Sequence, residues 1–189
     1  MEPILRDFPD TLETARLRIR PPMPGDGPVH FAALRDSLAE LRRFPASLPW
    51  ALTEPSVEAS EAYCRRAHAE SIARRDLPLL LFRKDDGALV GSSGLHRMDW
   101  AVPRFEVGFW GRTTHRGQGY MTEGVAAIVA FAFAHLGARR VDAFPDEANE
   151  PSCKVCERAQ CPQRAFPYMG AALAVNEHQS RLVPYGFAP

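Results

Sequence analysis

Three stretches of this sequence combine residue types and spacings that bear on chemistry. Arg116-Gly117-Gln118-Gly119-Tyr120-Met121 is a glycine-rich turn that feeds a helical pattern. Its two glycines allow a tight bend and let a ligand approach the main chain, since no Cβ stands in the way. The first N–H groups of the following helix lack internal partners, and the macrodipole adds partial positive charge there. Such a turn suits an anion, a pyrophosphate included. A strand-to-helix turn that simply needs glycine fits the same residues. Upstream, alternation in Phe105-Glu106-Val107-Gly108-Phe109-Trp110 puts Phe105, Val107 and Phe109 on one strand face, and Glu106, Gly108 and Trp110 on the other. Glu106 is then a carboxylate with open space beside it, in a strand whose glycine marks a bulge or a ligand's approach. Downstream, Asn149-Glu150-Pro151-Ser152 heads a short helical run, with Asn149 suited to cap it.

The elements that must hold these residues follow from periodicity. Met121, Val125, Ile128, Val129, Ala132, Phe133 and Leu136 recur at helical spacing, and Gly137 closes that helix. Arg140 to Phe144 reads as the next short strand, and the helix headed by Asn149 runs to about Ala159. Earlier, Arg16 to Arg20 alternates Leu17 and Ile19 with arginines as a half-exposed first strand, ended by Pro21-Pro22. Pro28 to Arg43 predicts a helix behind the Gly25-Asp26-Gly27 turn, Phe44 to Thr53 an irregular loop, and Val57 to Arg75 a second helix. Thr53 and Ser56 both qualify as caps of that second helix. Leu77 to Phe82 and Ala88 to Leu95 read as strands joined through Lys84-Asp85-Asp86-Gly87, an Asp-Gly hairpin signal. There is no internal repeat, low-complexity tract or linker.

In order and spacing these segments resemble the GNAT superfamily of N-acetyltransferases, in the branch similar to the RimJ/RimL ribosomal-protein N-acetyltransferases. The residues that carry the resemblance are RGQGYMTE at Arg116–Glu123, FEVGFW at Phe105–Trp110 and Asn149-x-x-Ser152. LETARLRIRPP at Leu12–Pro22 and LPLLLFRKDDGALVGSSGLH at Leu77–His96 add to it, so that it covers roughly Leu12 to Ala159. Met121 departs from the small residue usual there, but leaves the N–H donors in place. The resemblance implies an α/β (α+β) fold with a mixed, mostly antiparallel central sheet flanked by helices. It also implies that residues 1–159 form the acetyltransferase domain, with residues 160–189 as an atypical C-terminal segment of it. The implied co-substrate is acetyl-CoA. Its pyrophosphate would lie on the backbone of Arg116, Gly117, Gln118, Gly119, Tyr120, Met121 and Thr122, with charge from Arg116. Its pantetheine arm would lie along Phe109, Trp110 and Gly111, with Asn149 touching the amides. The two helices near the N-terminus and their loop cover the acceptor side, where Trp50 either lines a substrate pocket or packs the loop.

The implied reaction is direct attack of an amine on the thioester, without a covalent enzyme intermediate. An amine must be neutral to attack. About a tenth of an α-amine is neutral at pH 7, against fewer than about one in a thousand for a lysine. Glu106 is the candidate base, directly or through water; as a plain strand carboxylate it would instead pair with Arg104 or Arg97. Ser152 matches the family's serine near the leaving thiolate, and also reads as an ordinary first-turn residue. The other histidines, His96 and His115 among them, read as surface or satisfied polar groups. An alternative is an acyl-CoA-binding sensor or partner module without turnover. A nucleotide-binding domain fits less well, for there is no Gly-Lys-Ser/Thr P-loop.

Composition narrows the classes further. The 189 residues suit one domain with a substantial core, and 46% hydrophobic with 24% charged content is that of a soluble globular chain. The 23 basic and 23 acidic residues leave no global field for nucleic acid or an anionic membrane. No apolar run reaches the length of a membrane span, and MEPILRDFPD lacks the basic start and apolar core of a secretory peptide, so a cytoplasmic protein is expected. Disulfides are then not expected of Cys64, Cys153, Cys156 and Cys161. Cys153-x-x-Cys156 has no second pair at zinc spacing, so no metal is expected either. The resemblance stops near Ala159, where a Gly-Phe pair and a charged hairpin would follow. The proline-rich 160–189 segment argues against central strands there. It reads as an unrelated or shifted-frame tail, or a diverged covering segment. The strand at Arg140–Phe144 is therefore expected to show a bare edge, with self-association as a homodimer, or with the tail folded irregularly over it.

Overall fold

The computed structural model describes residues 2–45, 48–159 and 182–187. Seven strands form one sheet in chain order: β1 (Leu12–Glu13), β2 (Leu17–Arg20), β3 (Leu77–Arg83), β4 (Leu89–Asp99), β5 (Arg104–Gly111), β6 (Arg140–Ala143) and β7 (Tyr185–Phe187). Every neighbouring pair is antiparallel except β5 and β6. Helices α1 (Gly27–Leu41) and α2 (Val57–Ile72) lie between β2 and β3, α3 (Tyr120–Leu136) between β5 and β6, and α4 (Glu150–Arg158) follows β6. This is the mixed, mostly antiparallel α/β architecture expected.

The sheet is apolar on both faces, which is why Leu77–Phe82 reads as an unbroken apolar run. Leu79 and Leu81 join Val125, Ile128, Phe131 and Ala132 of α3 in the larger core. Leu80, between them, joins Ala33, Leu34 and Leu41 of α1 and Trp110 in the smaller one. On β5 the alternation is as expected: Phe105 and Val107 are buried in the core beneath α3, while Trp110 belongs to the opposite cluster. Gly137 closes α3 with φ 68° and a bond from its N–H to the Ala132 carbonyl. Of the two candidate caps of α2, Ser56 serves, its side chain accepting from the Ala59 N–H. The loop before α2 contains a short 3₁₀ turn at Pro49–Leu52.

The bare edge expected at Arg140–Phe144 is a point of correction. β7 pairs antiparallel with β6, Val141 opposite Phe187 and Ala143 opposite Tyr185, and Asp146 bridges Leu182. Both aromatics are buried. Pro184 stands just before β7, which among the described residues is the edge strand of the sheet, where a proline is tolerated. A homodimer argued from a bare β6 edge loses that ground. The expected structure of residues 160–181 lies outside the described residues, as does Cys161. Cys64, Cys153 and Cys156 are free thiols. Among the described residues there is no cluster able to hold a metal, and no helix is long and apolar enough to cross a membrane.

Candidate active site

The parallel pair β5–β6 creates the site. Its register runs only through Arg104–Arg140, Phe105–Val141 and Glu106–Asp142. β5 continues to Gly111 against β4 alone, so among the described residues its other edge is unpaired by any strand from Val107 onward. Parallel strands end on the same side of the sheet. The segments after β5 and β6 therefore bring the N-termini of α3 and α4 to the side where the two strands part, a common location for ligands in such sheets.

The turn entering α3 is shaped as its glycines suggested. Gly117 and Gly119 have φ 74° and 79°, conformations that side chains with a Cβ resist. Arg116 donates its N–H to the Thr113 carbonyl at 3.2 Å, and the next backbone N–H to find a carbonyl is Glu123, bonded to Gly119 at 3.0 Å. Among the described residues the N–H groups of 117–122, including those of Gln118, Tyr120, Met121 and Thr122, donate to no protein acceptor. A Cβ added at Gly117 would meet nothing within 4 Å, so the space before the turn is open. These donors, at the positive end of α3, fit a pyrophosphate. The Arg116 guanidinium, 48% exposed, contacts Glu40 of α1 at 3.1 Å, so part of its charge is already answered. Met121 packs beside Gly91 and Gly111, where added Cβ atoms would come within 2.7 and 3.0 Å of its side chain.

A second set of residues locks this turn, and sequence spacing did not reveal it. Arg16, just ahead of β2, donates Nε to Glu123 Oε2 at 2.6 Å and Nη1 to the Gln118 carbonyl at 2.9 Å. Its guanidinium lies 4.5 Å from the centre of the Tyr120 ring. Thr14 and the Arg16 N–H both donate to Glu123 Oε1. These bonds lower the Glu123 pKa against the opposing effect of burial. An acid in a helix's first turn is a recognisable signal, but a partner 107 residues away leaves no local trace.

On the opposite face from α3, the sheet and α1, α2 and the 3₁₀ turn enclose a cleft of about 630 Å³. Glu106, Gly108, Phe109 and Trp110 line it, with Trp50 at its margin, its ring 6.3 Å from that of Trp110. Glu106 accepts from Arg97 Nη1 at 2.9 Å, the pairing foreseen for a plain strand carboxylate, while Arg104 turns to Asp142. Burial nevertheless dominates, and raises the Glu106 pKa above its ordinary value, with Arg97 opposing. His96, opposite Glu106 in register, is also in the cleft and pairs with Asp76, its Nδ1 2.8 Å from Oδ1. It is a satisfied polar group, as expected, but on one side of its ring only. His115 is half-buried and contacts Thr114. His30, 5% exposed, stacks on Tyr63 with ring centres 4.8 Å apart, and burial lowers its pKa to about 4.

Asn149 accepts from the Ser152 N–H at 3.3 Å and so caps α4. Ser152 is part-buried in that helix's first turn and does not line the cleft. Glu106, Phe109 and Trp110 are thus gathered in one cleft. Arg116 to Thr122, and separately Asn149 and Ser152, flank the parting of β5 from β6.

Comparison with known proteins bears on this geometry. A family model described as an acetyltransferase (GNAT) domain matches residues 16–161. RamB of Mycobacterium tuberculosis, an HTH-type transcriptional regulator, is 52% identical over 44 residues, 22% of this chain but only 9% of that protein. The "Putative ribosomal N-acetyltransferase YdaF" of Bacillus subtilis is 33% identical over 73 residues, 39% of this chain and 40% of its own. The matches with these curated relatives therefore span well under half of each. Among solved structures, the ribosomal L7/L12 alpha-N-protein acetyltransferase RimL in complex with coenzyme A superposes with a TM-score of 0.78 at 16% identity, covering 94% of this chain and 97% of that one. At that identity the likeness is one of fold.

Proposed function

The chain belongs to the GNAT acetyltransferases, and from that premise we propose that it moves an acetyl group from acetyl-CoA to a primary amine. The observation that carries this is the run of N–H groups at 117–122, without a partner among the described residues, beside the parting of β5 from β6, with an acid-lined cleft across the sheet. The turn would hold the pyrophosphate, aided by Arg116. The free edge of Phe109, Trp110 and Gly111 would take the pantetheine arm, and Asn149 would reach its amides. Acetyl-CoA supplies the activated acetyl group. A backbone N–H of that edge would receive the carbonyl oxygen as charge develops on it, a contribution on the order of 3 kcal/mol.

Glu106 takes the proton that leaves the amine, and burial raises its basicity for the task. Ser152 donates toward the departing sulfur from the head of α4. Holding amine and thioester in line supplies much of the remaining rate. The acceptor is a protein N-terminal α-amine or a small amine. The first is favoured because so much less of a lysine is neutral, and because the names of YdaF and RimL concern ribosomal substrates. The protein works in the cytoplasm, with residues 160–189 completing the same domain. Release of free thiol from acetyl-CoA, measured over α-amine peptides and small amines, tests the reading. Acceptor-dependent release supports it. Binding of acetyl-CoA with no release from any acceptor would leave a sensor or partner module instead.

A further inference from the structure

Glu106 shares its cleft with a second titratable pair. The Nδ1 of His96 lies 2.8 and 3.0 Å from the two carboxylate oxygens of Asp76, which precedes β3. A carboxylate can only accept, so Nδ1 carries the hydrogen, and in the neutral ring Nε2 carries the lone pair. Among the described residues, Nε2 has no hydrogen-bond partner.

Two glycines set where that lone pair sits. A Cβ at Gly94 would come within 3.0 Å of His96 Cε1 and Nε2, and a Cβ at Gly108 within 3.2 Å of Cδ2 and 3.4 Å of Nε2. The ring therefore lies flat on the sheet over both positions. Gly108 is two residues beyond Glu106 toward the Phe109–Gly111 edge, so the imidazole extends toward the end where the thioester is placed.

We infer that His96, set by Asp76, is a second catalytic base of the transfer and divides the proton work with Glu106. This rests on the acetyltransferase reading. The acceptor enters as an ammonium, and Glu106 takes its first proton. The nitrogen lone pair then forms the C–N bond to the thioester carbonyl carbon. His96 Nε2 takes the second proton from that nitrogen, and Asp76 steadies the imidazolium. The C–S bond breaks, and sulfur keeps the electron pair and takes one proton from Ser152, which solvent replaces. Ammonium and thioester give amide, thiol and one proton released to solvent. Charged and titratable groups sharing the cleft with the imidazole are Asp76, Glu106, Arg97 on β4, His30 on α1, Glu54 on the loop before α2, and Tyr63 and Arg66 on α2.

The test uses the full chain, acetyl-CoA, and three acceptors: a seryl tetrapeptide, lysine ethyl ester and spermidine. His96→Gln should lower kcat/KM about 100-fold or more and remove one acid limb from its pH profile, with acetyl-CoA stabilisation unchanged. Asp76→Asn should shift that limb at a smaller loss. Gly108→Ala should also lower kcat by pushing the ring aside, though it removes no titratable group. Independently of turnover, imidazole nitrogen shifts should report the Nδ1–H form of His96 in the wild type and a mixture in Asp76→Asn. Wild-type kcat/KM and acid limb in His96→Gln would overturn the inference, as would an Nε2–H form of the neutral wild-type ring. A wild type that binds acetyl-CoA and acetylates none of the three acceptors would fail earlier, at the acetyltransferase reading, and this inference would fall with it.

Discussion

Glu106 is pulled two ways, by burial that resists its charge and by Arg97, 76% exposed, that favours it. The outcome is a raised pKa, which has consequences for rate and for stability. Glu106→Gln should lower kcat by about 100-fold or more while acetyl-CoA affinity holds, and the loss should shrink at high pH, where the amine is already neutral. An equal loss at every pH would assign Glu106 a positioning role only. For stability, a folded pKa above the unfolded one favours the fold most at low pH, and that contribution is lost as pH rises through the folded value. Glu106→Gln should therefore be at least as stable as wild type at pH 7, with the difference closing below the ordinary carboxylate range; thermal unfolding at the two pH values checks it. His30 has the opposite sign for a base. Its pKa falls from 6.5 to about 4, so stability present at neutral pH should decline as pH drops through that window, by roughly 3 kcal/mol if the whole shift is expressed. His30→Phe should flatten the decline, and an unchanged acid profile would contradict this. Alternation along β5 exposed Glu106 in the sequence. His96 could not be read that way, because the Asp76 that orients it lies 20 residues off, beyond a strand and its hairpin.

At the scale of elements, the turn into α3 carries the cofactor claim. Acetyl-CoA at 100 times its dissociation constant should stabilise the fold by about 2.7 kcal/mol. Gly119→Val forces a β-branched residue to φ 79°, and should abolish that shift while leaving the apo protein folded at a cost of about 1–2 kcal/mol. An unchanged shift in the variant would move the pyrophosphate elsewhere. Periodicity and punctuation made α3, Gly137, the β3–β4 hairpin and the Asn149 cap legible, since each depends on neighbours in sequence. The Arg16–Glu123 lock and the cleft were not, since each is assembled from segments that meet only after the sheet has formed. β4 also runs past Leu95 to Asp99, through an irregular pairing where Arg97 adopts φ 48°, which alternation does not anticipate.

For the molecule as a whole, β7 decides what the C-terminal segment does. Proline content hid it from a sequence reading, because three residues before the end of the described chain are too few to show alternation. Tyr185 and Phe187 are 3% and 4% exposed against β6. Truncation after Ala159 should uncover the β6 edge and cost about 3–6 kcal/mol from the two aromatic side chains alone, read as a lower Tm and lost solubility. A truncated protein with wild-type Tm and acetyl-CoA binding would make the segment foreign to the fold. The central claim is that the unpartnered N–H groups of the α3 turn and the acid-lined cleft act together in acetyl transfer. Thiol release from acetyl-CoA, compared between wild type and Gly119→Val over α-amine peptides and small amines, tests it most directly. Acceptor-dependent release in the wild type that is lost in the variant is the predicted result. Acetyl-CoA-dependent stabilisation of the wild type with no thiol release from any acceptor would contradict it.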